Sequence, residues 1–102
     1  MADKGSFAIN RLTMRRMFLG MGISERNIST IISTMEKSHR HINAITLASM
    51  LEKMGADRDR IRNVFRRLGM SDVNIHRIME QIDEQRIINE VGRVFNVELI
   101  EE

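Results

Sequence analysis

The sequence predicts an all-α fold: a single compact helical domain over residues 1–102, with five to six short helices joined by tight Gly-containing corners. Three observations predict it. Apolar residues recur at i, i+3, i+4 and i+7 in five successive segments, the spacing that buries one face of a helix. The chain contains no Pro, so nothing fixes a break inside those segments. One cadence also occurs three times, over residues 18–32, 51–65 and 65–79. Each copy reads as a helix end, a Gly, an apolar residue, a Ser or Asp, and a new amphipathic helix. No stretch alternates with a strand period over a useful length.

The first helix places Met14, Met17, Phe18 and Met21 on one face, and the second Ile28, Ile31, Ile32 and Met35. The third carries Leu47, Met50, Leu51 and Met54, the fourth Ile61, Val64, Phe65 and Leu68, and the fifth Ile75, Ile78, Met79 and Ile82. Ser24, Asp57 and Ser71 are residues whose side chains cap a helix by accepting from its first free N–H groups. Around them Ile23 pairs with Ile28, Ala56 with Ile61 and Met70 with Ile75, the hydrophobic staple that orients the chain as a helix begins. Asn43, between Ile42 and Leu47, does the same for the third helix. Gly22, Gly55 and Gly69 stand where the preceding helix must turn left-handed to end.

Residues 38–42 form a polar connection dividing the first two helices from the rest. After Ile82 the apolar phase slips, since Gln85 and Arg86 occupy the expected positions. It resumes at Ile87, Ile88, Val91, Val94 and Phe95. Either a sixth helix follows a turn near Glu84, or one bent helix changes its buried face. Residues 1–6 and 97–102 are expected as flexible or docked tails.

At 102 residues the chain can bury one modest core without staples. It has no Cys, which removes disulfides and thiolate metal sites, and no apolar run long enough to span a membrane. The start, Met-Ala-Asp-Lys-Gly-Ser, lacks the apolar stretch of a signal peptide, so a cytoplasmic protein is expected. The net charge of +2 is unevenly spread: residues 1–67 carry 13 Lys/Arg against 6 Asp/Glu, and residues 68–102 carry 3 against 8. Such polarity suits a basic binding surface beside an acidic tail, or an acidic end lying over the basic part of its own fold.

The repeated spacing resembles the helix-turn-helix module of DNA-binding regulators, in which a turn Gly is followed six and nine residues later by apolar residues. Gly22, Ile28 and Ile31 match, as do Gly55, Ile61 and Val64, and Gly69, Ile75 and Ile78. Four residues before the Gly that module takes a small side chain, where this chain has Phe18, Leu51 and Phe65. The resemblance implies a duplex partner. The fourth helix supplies suitable chemistry: Arg58, Arg62 and Arg66 form a row beside its apolar stripe, with Arg60 and Arg67 on the other flank. Guanidinium groups neutralise phosphates and read guanine edges. Arg11, Arg15 and Arg16 of the first helix extend the patch. With no Trp or Tyr, single-strand stacking platforms are absent, which favours duplex DNA or structured RNA.

Nine methionines open a second possibility, an adaptable apolar surface for a partner helix, although most lie at core spacing. Homodimerisation through Ile87, Ile88, Val91, Val94 and Phe95 would bury the out-of-phase apolar face of the last helix. Catalysis has no support, since no phosphate loop, nucleophile elbow or paired acid and base is present. His39, His41 and His76 lack the companions that complete a metal site, so neither metal nor cofactor is expected. The residues favour a small non-enzymatic nucleic-acid-binding, regulator-like protein. The alternative is a protein–protein interaction module or small structural subunit using the Met-rich surface or the last helix.

Overall fold

The computed structural model describes residues 6–84 and 95–100. Its elements are β1 (Ser6–Asn10), α1 (Arg11–Gly20), α2 (Glu25–Lys37), β2 (His41–Asn43), α3 (Ala44–Lys53), α4 (Arg58–Leu68), α5 (Asp72–Glu84) and β3 (Asn96–Ile100). The protein is mostly helical, and the five helices coincide with the five apolar stripes. Fully buried side chains from four of them, Met14, Phe18, Ile31, Met35, Leu47, Leu51, Ile61 and Phe65, form the centre of the core.

Each Gly corner closes by the same pair of backbone bonds. At the first, Ile23 N–H donates to the Phe18 carbonyl and Gly22 N–H to that of Leu19, both at 3.0 Å. Ala56 and Gly55 donate likewise to Leu51 and Glu52, and Met70 and Gly69 to Phe65 and Arg66. This is the Schellman motif, in which the residue after the left-handed position seals onto the helix's last turn. The left-handed positions are Gly22, Gly55 and Gly69, with φ of +87°, +102° and +100°. Phe18, Leu51 and Phe65 stand at the position that accepts the longer bond, and each is fully buried. The large residue where a helix-turn-helix takes a small one therefore packs the corner from beneath. Beyond the corners, Ser24 Oγ accepts from Asn27 N–H, Asp57 Oδ1 from Arg60 N–H and Ser71 Oγ from Asn74 N–H.

The small sheet is the main departure from the sequence expectation. β3 is its central strand, parallel to β1 and antiparallel to β2. Phe7, Val97 and Ile42 lie in register across it and are buried, as are Ile9 and Leu99 in the next row. The opposite face, with Ala8, Glu98 and His41 in register, is exposed. One face thus rests on the helices and the other meets water. Residues 97–100, expected within a tail, are the middle of this sheet, and part of the polar connection 38–42 belongs to β2. His39 and Arg40 turn the chain into β2 with φ of +59° and +68°. Asn10, the last residue of β1, also caps α1 by accepting from Thr13 N–H at 2.8 Å.

Strands β2 and β3 bring the start of α3 beside Phe95, which lies eleven residues beyond the end of α5. Ala44 N–H, at the start of α3, donates to the Phe95 carbonyl at 2.6 Å, and Leu99 N–H donates to the Arg40 carbonyl at 2.7 Å. Within the α3–α5 segment α3 packs more extensively on α5 than either does on α4. Phe95, assigned from sequence to a dimer face, is instead buried, its ring tilted against Phe7 with centroids 6.5 Å apart. Its companions Ile87, Ile88, Val91 and Val94 lie outside the described residues.

Candidate interaction surfaces

Asp57 caps α4 and Gly69 ends it, so its eleven residues hold a fixed rotation in which Ile61, Val64 and Phe65 face the core. The arginines are consequently on its outer flanks, but most have acceptors within the chain. Arg58 reaches back across the α3–α4 corner to Glu52, with Nε and Nη2 at 3.1 and 3.0 Å from one carboxylate oxygen. Arg62 pairs with Asp59 at 2.9 Å. Arg66 crosses the α4–α5 corner to Asp72 at 3.1 Å and also donates to Asn63 Oδ1. Arg60 donates from Nη1 to the Met21 carbonyl at 2.9 Å, capping the C-terminal end of α1, and stands 3.6 Å from Asp57. On α1, Arg11 and Arg15 pair with Glu36 and Glu25 of α2. They turn towards α2 and do not extend an α4 patch.

These pairs are solvent-exposed, and each contributes about 0–1 kcal/mol. They nonetheless show how the charge asymmetry is handled. Among the described residues, the acids that pair with the basic half lie one turn away at the start of α4 (Asp57, Asp59), across a helix corner (Glu25, Glu52, Asp72) or on the adjoining helix (Glu36), and of these Asp72 belongs to the acidic residues 68–102.

A different set of arginines converges. Arg60, Arg66 and Arg67 of α4 and Arg16 of α1 line an open groove of about 540 Å³ between the two helices, with Met17 and Met21 among its other walls. Arg16, Met17 and Arg67 continue into a second hollow of about 460 Å³ that reaches Asn10 and Ile100. Among the described residues, no Asp or Glu lines either hollow.

The methionines divide between two environments. Met14, Met35, Met70 and Met79 are buried, whereas Met17, Met21, Met50 and Met54 are partly buried at the edge of the core. Large exposed apolar side chains among the described residues are Leu12, Leu19, Val73 and Ile100. Val73, the most exposed of them, stands in the first turn of α5. His76 faces Glu80 one turn along α5 at 3.3 Å. Among the described residues no three His, Asp or Glu side chains gather as metal ligands, and no helix is long and apolar enough to cross a membrane.

Comparison with known proteins finds one family model that matches, described as the fungal ubiquitin-associated domain, over residues 46–92. No curated protein and no solved structure matches the chain significantly. The matched stretch runs from the first turn of α3 through α4 and α5 and lies wholly between the hydrogen-bonded Ala44 and Phe95. Over residues 46–92 the chain is thus similar to a small helical protein-interaction domain.

Proposed function

We propose that the protein is a non-enzymatic protein-interaction module whose α3–α5 segment docks ubiquitin or a ubiquitin-like partner. The observation that carries this is the match to the ubiquitin-associated domain over residues 46–92. Supporting it, the matched segment begins in a helix tied to the sheet through Ala44 and presents Val73 and the half-buried Met54 on its surface. Against a phosphate-reading role for α4, Arg58, Arg62 and Arg66 already hold carboxylates of the same chain. Part of each guanidinium's charge is thereby already compensated within the chain.

The discriminating measurement is a chemical-shift titration of the isotopically labelled full chain with ubiquitin and, separately, with a short DNA duplex. Ubiquitin should produce saturable shifts confined to α3–α5 that persist as salt is raised from about 50 to about 200 mM. Phosphate contacts would fade steeply over that range through counterion release. Silence towards ubiquitin, with salt-sensitive duplex binding mapped to Arg58, Arg62 and Arg66, would replace this function by nucleic-acid binding.

A further inference from the structure

The groove between α1 and α4 carries charge that the described residues do not neutralise. Of its four arginines, Arg60 is engaged by the Met21 carbonyl and Asp57, and Arg66 by Asp72 and Asn63. Arg16 and Arg67 are exposed and hold no ion pair among the described residues. Both stand where the two hollows join, with no acid among the described residues lining either one. Two uncompensated cations in a concave site raise the local concentration of anions. Between them the wall is of another kind. Met17 and Met21 are half-buried thioethers, which repack readily around apolar side chains.

We propose that this groove docks an acidic amphipathic peptide segment of a partner protein, its carboxylates meeting Arg16 and Arg67 and its apolar side chains resting on Met17 and Met21. The guanidinium fork matches a carboxylate with two parallel hydrogen bonds. A nucleic-acid backbone would satisfy the arginines and leave the thioethers without a counterpart. Among the described residues, no aromatic side chain lines the groove on which a base could stack. Arg16, Met17 and Met21 lie outside the residues matched to the ubiquitin-associated domain and Arg67 within them, so changes at Arg16 and Met17 test this site apart from the α3–α5 surface.

The test uses the full chain and a capped peptide of alternating Glu-Glu and Leu-Leu pairs. A Glu-only peptide of equal length and a short DNA duplex serve as comparisons, and binding is read by calorimetry. The mixed peptide should bind saturably, and more tightly than either comparison. Arg16→Glu with Arg67→Glu should weaken it at least roughly tenfold, while Arg77→Glu on α5 should leave it within about twofold. Both groove arginines are exposed, so the double variant should keep the wild-type circular dichroism. Met17→Gln, with every charge retained, should weaken the mixed peptide and spare whatever binding the Glu-only peptide has. The proposal is overturned if the wild-type chain does not bind the mixed peptide, or binds the Glu-only peptide equally well. Tighter duplex binding through the same arginines would overturn it in favour of nucleic acid, and self-association abolished by the double variant in favour of a second copy of the chain.

Discussion

Replacing the corner glycines isolates a backbone cost with almost no packing term. At Gly55 and Gly69 an added Cβ would meet no atom within 4 Å among the described residues. At Gly22 it would meet Arg60 Nη1 at 3.9 Å, an ordinary contact. What remains is the left-handed φ of +87° to +102°, beyond the narrow range near +60° that other residues tolerate. An L side chain held left-handed costs about 1–2 kcal/mol. Alanine recovers about 0.4–1 kcal/mol of this by stiffening the unfolded chain. Gly55→Ala and Gly69→Ala should therefore each destabilise by about 1 kcal/mol, and the β-branched Gly69→Val by about 2–3 kcal/mol. Gly20 supplies the control. It lies within α1 without a positive φ, and a Cβ there also meets nothing. Gly20→Ala should stabilise by about 0.5–1 kcal/mol. In thermal melts followed by circular dichroism, 1 kcal/mol corresponds to about 4–8 °C for a domain near this size. The corner variants should fall by that amount while Gly20→Ala rises. If all the alanine variants rose together, the left-handed corners would not be limiting, and the repeated motif would lose its structural meaning.

Two further outcomes follow from packing and charge. Leu99→Ala removes a buried side chain in register with Ile9 and should cost about 2–5 kcal/mol, whereas Glu98→Thr on the exposed face should change stability by less than about 0.5 kcal/mol. Equal effects in urea denaturation would show that the strand does not divide its faces as described. A double-mutant cycle on Arg58 and Glu52, whose side chains are 37% and 38% exposed, should return a coupling no larger than about 1 kcal/mol. A value of 2 kcal/mol or more would mean that the corner ion pair is far better shielded than its exposure implies.

The helices were legible because their signals are local. A Schellman corner is written within six residues, Phe65 to Met70 for instance, and Asp57 caps α4 from the adjacent position. The strands had no such signal. β1 and β3 each point only two apolar side chains inward, Phe7 with Ile9 and Val97 with Leu99, and their register joins residues as far apart as Ser6 and Asn96. Five residues of alternation cannot be told from a tail until their partner is known. Asn10 is hidden as a cap for the same reason, because nothing local marks the residues before it as a strand. Helical periodicity did place Arg58, Arg62 and Arg66 in one row. It could not show that Glu52 and Asp72 reach that row across two corners. Nor could it choose among Arg11, Arg15 and Arg16, since only the packing of α1 beside α4 decides which of them faces the groove.

The topology separates the segment similar to an interaction domain from the elements that hold it. β2 delivers the chain into α3, and β3 receives it after Phe95, so one antiparallel pair closes the whole α3–α5 excursion. Closing a loop of that length costs entropy that grows only slowly with its size. The central position of β3, paired on both edges and buried along one face, offsets that cost without drawing on the outer surfaces of α4 or α5. A partner on α3–α5 therefore meets a segment whose first helix is already tied to the sheet, and less ordering remains to be done there on binding. The α1–α4 groove is different, because its walls come from both sides of that division. Arg60 alone bridges them by a hydrogen bond, to the Met21 carbonyl, among the described residues lining the groove. An occupant that engaged Arg16 and Arg67 together would add a second tie between the frame and the α3–α5 segment. Binding there should consequently stabilise the chain against unfolding, in the amount that ligand concentration and affinity dictate.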